Sequence, residues 1–575
     1  MMTVLGAVDV MAKKTTNHTF QTLDCRPDKD GKGPVLLFTD IVSGPNYGGE
    51  NNQGAYLSLY GFNFGDQQHF KQGKLQVFIG QQEVGRYINL TRAKPRAWEK
   101  PKPLQHLSVQ VGHIGNAAAG SSFPITVRYN GICSRKNLHF TVQKGDIYFV
   151  DNETGNDLSA QANNINKPWR YIQTSDQKGL ISHVKPGDMI IMRGKQIWND
   201  RGYDHRFLRF RHITGTAPVT NTRSGPIVIK SYPGETATIS ALVGSYGVIH
   251  GVSDSFSEDS NWIVLSDLKL IGGDRSVKDG PLNLQSNSNH WRIINNEICC
   301  WAAEDGSQGP EARSAAISGN GEDIKILGNY IHDIGGGRLN HGIYLDTGAT
   351  NIEIAYNQIS NVTGGNLIQT YDNLGMKNLQ NIKIHHNWLE NGNRFGLNIS
   401  AGTASIYVWN NIIRHTRYAG IRLSSEQLNK SSIDYNTVLE TNYGDDRGSL
   451  DIDEDIKNGD IYIANNIFWP SSKHNGSSFL EGADITGLQL IHNVFKDTWS
   501  LRNLMLHAKY PHNLFCKSDS HCNFINPTDN QDCDCKIIDS GQNYKGIKPG
   551  TDFYHTLRNC GKALDIGAIE ACPEQ

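Results

Sequence analysis

An asparagine followed two residues later by an aliphatic or aromatic residue recurs at Asn296, Asn329, Asn357, Asn387, Asn411, Asn436, Asn466 and Asn493. The intervals are 33, 28, 30, 24, 25, 30 and 27 residues. A short alternating stretch stands before most of them, as in Ile324-Lys325-Ile326, Ile352-Glu353-Ile354, Ile382-Lys383-Ile384 and Ile461-Tyr462-Ile463. A second stretch follows beyond a loop, as in Gly342-Ile343-Tyr344-Leu345, Gly396-Leu397-Asn398-Ile399 and Gly420-Ile421-Arg422-Leu423. Two or three short strands per unit with no helical stripe between them describe one coil of a parallel β-helix. Stacked coils lie about 4.8 Å apart, so the asparagines predict a ladder of side-chain amides bonded from coil to coil. A leucine-rich repeat is excluded by the wandering period, and a propeller by the lack of four strands per unit.

Composition agrees. The chain has 575 residues, too many for one compact core, with 38% hydrophobic residues and 59 glycines. A formal net charge of −2 offers no basic field to nucleic acid. There is no apolar run of membrane-spanning length. Met1 to Ala12 is mildly apolar but lacks the basic start of a signal peptide.

Six of the ten cysteines, Cys516, Cys522, Cys533, Cys535, Cys560 and Cys572, crowd the last sixty residues, which predicts a disulfide-stapled tail and an oxidising compartment. Zinc fits them less well, since no Cys-x-x-Cys pair occurs. Cys299 and Cys300 lie together in a strand-like stretch and are expected as buried free thiols.

The opening of the solenoid resembles bacterial pectate-lyase-like β-helix proteins. The matching segments are Tyr148 to Asp151 with Gly155-Asn156-Asp157, Pro168-Trp169, Val184 to Asp188, Pro226 to Ile229 and Tyr232 to Glu235. Ala563 to Glu570 is similar to the closing strand of the same superfamily. Upstream, Leu57 to Gly65 resembles the signature of IPT/TIG domains, an immunoglobulin-like sandwich used as a spacer or carbohydrate-binding accessory. The expected fold is therefore all-β: a small immunoglobulin-like β-sandwich followed by a right-handed parallel β-helix. The boundaries expected are 1–33 for a leader or tail, 34–143 for the sandwich, 144–515 for the β-helix and 516–575 for a cysteine-rich cap.

Loop lengths vary between the ladder asparagine and the second strand, which puts a binding groove along the second-strand column. Aligning those strands gives Ala316, Tyr344, Gln369, Asn398, Arg422 and Asp451 facing outward, with Asp346 and Asp453 two residues further on. Ser318, Ser400 and Ser424 stand between, Arg313, His341 and Arg417 near the strand starts, and Asp372 and Glu454 just beyond. Outward positions of a solenoid are polar by default, so it is the concentration that carries information.

Two reactions can use such a face. Glycoside hydrolysis needs a carboxylate pair, for which Asp451 with Asp453 and Asp346 with Asp372 are the candidates. β-Elimination of a uronic-acid polymer needs a base, His341 or Tyr344, and a group that neutralises the substrate carboxylate, Arg313, Arg417 or Arg422. Gln369 and Asn398 complete the substrate-binding set, with Trp301 and Tyr371 as stacking surfaces beside Phe395 and Tyr418. Many lyases of the resembled superfamily use Lys with Ca²⁺, but the column has no Lys, and Lys377 is the nearest.

The expectation is a secreted or cell-surface, monomeric enzyme acting on a polysaccharide, with no nucleic-acid or membrane partner. No metal ligand is assigned, and Ca²⁺ is admitted only by the lyase reading. A non-catalytic carbohydrate-binding or adhesin-type protein on the same scaffold is the alternative.

Overall fold

The computed structural model describes residues 23–570 except 29–30, 98–101, 135–137, 177, 200–205, 211–212, 242–246, 252–259, 274–279, 285–287, 304–314, 373–374, 376–378, 445–447, 458–459, 472–483, 498–511, 518–523, 525–536, 543–550, 557 and 559–562. From Ile147 onward the chain winds as a right-handed parallel β-helix whose strands form three long sheets. Sheet I runs from Ile147–Val150 to Leu488–Ile491, sheet II from Arg206–Phe210 to Leu450–Ile452, and sheet III from Thr238–Ser240 to Leu514–Lys517. One coil visits I, III and II in turn, as in Lys325–Leu327, Tyr330–Gly336 and His341–Leu345.

The ladder lies at the turn from sheet I to sheet III. Asn387 shows the pattern: its Nδ2 donates to Ile354 O at 2.8 Å and to Asn411 Oδ1 at 3.0 Å. Its own Oδ1 accepts from the amide N–H and Nδ2 of Asn357. The same linkage joins all eight predicted asparagines and continues to Asn513, which the sequence pattern did not mark. The residue before each ladder asparagine from Asn296 to Asn493 takes a left-handed conformation, as at Asn295, Gly328, Tyr356, His386, Asn410, Tyr435, Asn465 and His492. That tight bend aims every amide inward along one line.

Before the solenoid, residues 35–142 form two facing sheets, antiparallel apart from one parallel pair. They do not stand clear of it. Sheet I is apolar on its outer side as well, at Met189, Ile191, Val228 and Val264, and the sandwich covers that side. A continuous apolar run such as Met189-Ile190-Ile191-Met192 reads as a strand buried on both faces for this reason. Where the two units meet, the fully buried Lys230 pairs with Asp40 and donates to Ser58 Oγ at 3.0 Å. Arg292 donates to the carbonyls of Asp40 and Thr39.

The tail closes over sheet I beside the sandwich. Arg558 is buried, donates to Asn410 Oδ1 and Gly567 O, and lies 4.2 Å from the centre of the Tyr435 ring. Near it, burial and the Asp565 carboxylate push Glu570 up to about 8.

Cysteine pairing departs from expectation at one place. Cys299 and Cys300, expected as free thiols, are bonded to each other, at a left-handed residue (Cys300, φ 63°) that interrupts the alternation of side chains within the strand Glu297–Ala303. Cys25–Cys133 is a further disulfide, and Cys516 is disulfide-bonded. The other five tail cysteines lie outside the described residues.

Two outcomes follow. Asn387→Ala removes a buried donor and acceptor at once and is expected to destabilise the solenoid by about 3 kcal/mol or more in urea unfolding. Glu570 has a folded-state pKa above its unfolded value, so its contribution is complete at acid pH and is lost as pH rises towards 8. Glu570→Gln should therefore match the parent's thermal midpoint at pH 5 and exceed it by a few degrees at pH 9.

Candidate functional site

Sheet II strands follow a simple rule: apolar, polar, apolar. The inward positions Leu208, Ile249, Leu282, Ile317, Ile343, Ile368, Leu397, Ile421 and Leu450 stack into the core. Between them and the next apolar position projects an outward column: Arg209, His250, Asn283, Ser318, Tyr344, Gln369, Asn398, Arg422 and Asp451. The expected register from Tyr344 to Asp451 is the observed one. At the preceding strand it slips by two, because Ser318 is the neighbour of Tyr344 and Ala316 is buried in the core. Ala316 takes the place of the glycine that marks other strands. At Gly396 and Gly420 an added Cβ would come within 2.5 Å of the next coil, which is why glycine recurs there.

The column divides into two clusters with an amide bridge between them. In the bridge, Gln369 accepts from Asn398 Nδ2 at 2.8 Å and from Asn366 Nδ2, and donates to Ser400 Oγ at 3.0 Å. Asn398 Oδ1 is buried and has no hydrogen-bond partner among the described residues.

Downstream, Arg422 binds Asp453 through two nitrogens, and its Nε lies 3.6 Å from Asp451 Oδ2. Its guanidinium covers the Phe395 ring at 5.1 Å, and Phe395 contacts Tyr418. Arg394 and the exposed Arg417 flank the Tyr418 ring. Asp451 and Asp453 are thus brought together, but around one shared cation.

Upstream, Asp346 and Asp372 come from adjacent coils and are both buried. Thr347 joins them: its amide N–H donates to Asp346 Oδ1 at 2.6 Å and its hydroxyl to Asp372 Oδ1 at 2.7 Å. Gly402, at φ 80°, lets Asp372 lie against the next coil, where an added Cβ would fall 2.0 Å from Asp372 Cβ. His341 stacks on Tyr344 and its Nδ1 accepts the Asn366 amide N–H at 2.9 Å. Burial, with Arg394 adding to it, drives His341 down to about 3, so the ring is neutral with its proton on Nε2. It can donate a hydrogen bond; it is a poor proton acceptor.

The remaining expected residues are dispersed. Tyr371 is 39% exposed, in the strand extension next to Asp346. Trp301 is corrected: it is fully buried in the solenoid core and offers no ring face to a ligand. Arg313 and Lys377 lie outside the described residues. Sequence reasoning missed Thr347, which follows Asp346 directly, and the upstream positions Arg209, His250 and Asn283. Their signal was present as Leu208-Arg209-Phe210 and Leu282-Asn283-Leu284, upstream of the first ladder asparagine, Asn296.

No protein-family model matches the chain, and no curated protein matches it. Among solved structures, the pectate lyase Pel9A has 12% identity and a TM-score of 0.44, the match covering 74% of this chain and 96% of that one. XylC in complex with xylose has 11% identity and a TM-score of 0.44 over 74% and 98%. The catalytic unit of the GH87 α-1,3-glucanase of Streptomyces thermodiastaticus strain HF3-3 has 12% identity and a TM-score of 0.29 over 81% and 86%. Such a likeness concerns the course of the chain and transfers no residue role.

If Arg422 is the cation that holds Asp451 and Asp453 in place, Arg422→Met leaves a buried carboxylate without it. A loss of about 3 kcal/mol in chemical unfolding is expected, with a much smaller loss for Arg422→Lys.

Proposed function

We propose that this chain is an extracellular polysaccharide hydrolase that cleaves glycosidic bonds on sheet II with Asp346 and Asp372 as its carboxyl pair. The observation that carries this reading is the Thr347 bridge between two buried carboxyl groups on neighbouring coils. A hydroxyl can donate or accept, so Thr347 Oγ1 satisfies Asp372 in either protonation state, which suits the acid that protonates the leaving oxygen. A main-chain N–H only donates, which suits Asp346 as the carboxylate that activates water or attacks the sugar. The two residues come from adjacent coils about 4.8 Å apart, and their common partner Thr347 supports a reading in which both carboxyl groups serve one glycosidic bond.

The rest of the column supports binding. Tyr344 and the exposed Tyr371 provide ring faces for sugar stacking, and His341 Nε2–H provides a donor beside them. Gln369 and Asn398 continue the polar track to the Arg422 cluster. β-Elimination through His341 is less well supported, because a ring held down at about 3 is a weak base and its Nδ1 lone pair already accepts the Asn366 N–H, which leaves Tyr344 as the base of that reading. The disulfides at Cys25–Cys133 and Cys516 fit an oxidising, extracellular setting. The sandwich, similar in sequence to IPT/TIG domains, serves as a fixed shoulder on sheet I.

A panel of acidic and neutral polysaccharides should yield a substrate cleaved to new reducing ends without near-ultraviolet absorption. On it, Asp346→Asn and Asp372→Asn are expected to lower kcat/KM by roughly a thousandfold or more. Asp451→Asn and Asp453→Asn should lose less than about tenfold and chiefly lower stability. Products that absorb as 4,5-unsaturated uronates would replace this reading with the lyase. Full activity in both Asp346→Asn and Asp372→Asn would move the site elsewhere.

A further inference from the structure

Away from the sheet II column, on the outer side of sheet III, three ligand-type side chains converge. Glu297 and Cys299 alternate along one strand and project to the same side, and Cys299 is in register with His332 on the next coil. One carboxylate oxygen of Glu297, Cys299 Sγ and a ring nitrogen of His332 all lie within 4.8 Å of one another. His332 is also oriented. Its Nδ1 meets Asp333 Oδ2 at 2.7 Å, which turns Nε2 to within 3.5 Å of Glu297 Oε1. A carboxylate behind a histidine, fixing which nitrogen faces the site, is the arrangement that supports metal-binding histidines.

What blocks the site is the neighbouring sulfur. Cys300 lies at an outward left-handed position that Asp333, Asn361 and Asn391 occupy on the following coils. Only here does that position hold a cysteine next to another, and the two are bonded. A disulfide sulfur is a weak ligand, whereas a thiolate is a strong one for zinc-class ions.

We propose that Glu297, Cys299 and His332, with Cys300 as a fourth ligand, form a redox-gated site for a thiophilic divalent ion such as Zn²⁺. Opening it takes two electrons from a thiol or phosphine reductant and two protons, which the thiols carry or, for a phosphine, water supplies. Two thiols become their disulfide, or a phosphine takes oxygen from water, and the Cys299–Cys300 bond becomes two thiols. The ion then displaces both thiol protons and the proton on His332 Nε2, all to solvent, and competes with Lys269 for Glu297, now 2.5 Å from it. Zinc bonds of about 2.0–2.3 Å require the ligands to close in by roughly 1 Å, which opening the two-residue disulfide ring permits.

The test uses the full chain and Co²⁺, whose thiolate complexes absorb in the near ultraviolet. After reduction by a phosphine and its removal, the parent should bind one more Co²⁺ than the unreduced protein, with thiolate-to-cobalt absorption. Reduction also frees other cysteines, so the comparison that matters is between equally reduced variants. His332→Ala keeps all ten cysteines and should lose that equivalent or bind it at least tenfold more weakly. Cys299→Ser should do the same, and both should keep the parent's circular dichroism. Equal binding by the parent and both variants would overturn the site. Equal binding by reduced and unreduced parent would overturn the gate.

Discussion

The amide ladder from Asn296 to Asn513 is the interaction on which the rest of this architecture depends. Each rung satisfies a main-chain N–H that the turn from sheet I to sheet III would otherwise strand, and it does so with the amide of the next coil. Buried polar groups are tolerated only when paired. The coils therefore cannot slide or tilt independently at this edge without breaking bonds in two directions. Variation in coil length, from 20 to 33 residues between rungs, is pushed into the loops on the other side, where sheet II lies. The fixed edge and the variable edge are two consequences of one hydrogen-bonding requirement.

That division explains what could be read from the chain beforehand. Eight ladder positions and the inward-facing aliphatic residues were legible because a period-two strand and a buried amide leave strong local patterns. The sheet II register was legible from Tyr344 to Asp451, and it failed by two residues at Ala316, where alanine stands in the place that glycine takes before Ile343, Leu397 and Ile421. Trp301 looked like a sugar platform because aromatic residues are ambiguous in sequence; the strand that carries it turns it into the core. Thr347 was not singled out, since its importance lies in joining Asp346 to a residue one coil away. The Cys299–Cys300 bond was hidden because it depends on one left-handed residue, not on spacing.

Sheet I has given up its outer face to packing. The sandwich and the tail cover it, fixed by Lys230 with Asp40 at one contact and by Arg558 with Asn410 at another. Sheet III carries the polar and aromatic exterior that includes Glu297, Cys299 and His332. Sheet II presents a polar column of adjacent coils in which carboxyl, amide, imidazole, phenol and guanidinium groups follow one another. Within it the chemistry is unevenly distributed. The two downstream carboxylates share Arg422, while Thr347 joins the two upstream ones, its main-chain N–H on Asp346 and its hydroxyl on Asp372.

The central claim is that this column adds water across a glycosidic bond. Cleavage of a substrate polysaccharide in water enriched in oxygen-18, followed by mass spectrometry of the shortest products, tests it most directly. Hydrolysis predicts products that each carry one added water, with the heavy oxygen in the newly formed end. Products lighter by one water, with no heavy oxygen incorporated, would show that the bond is broken by elimination and would contradict the account.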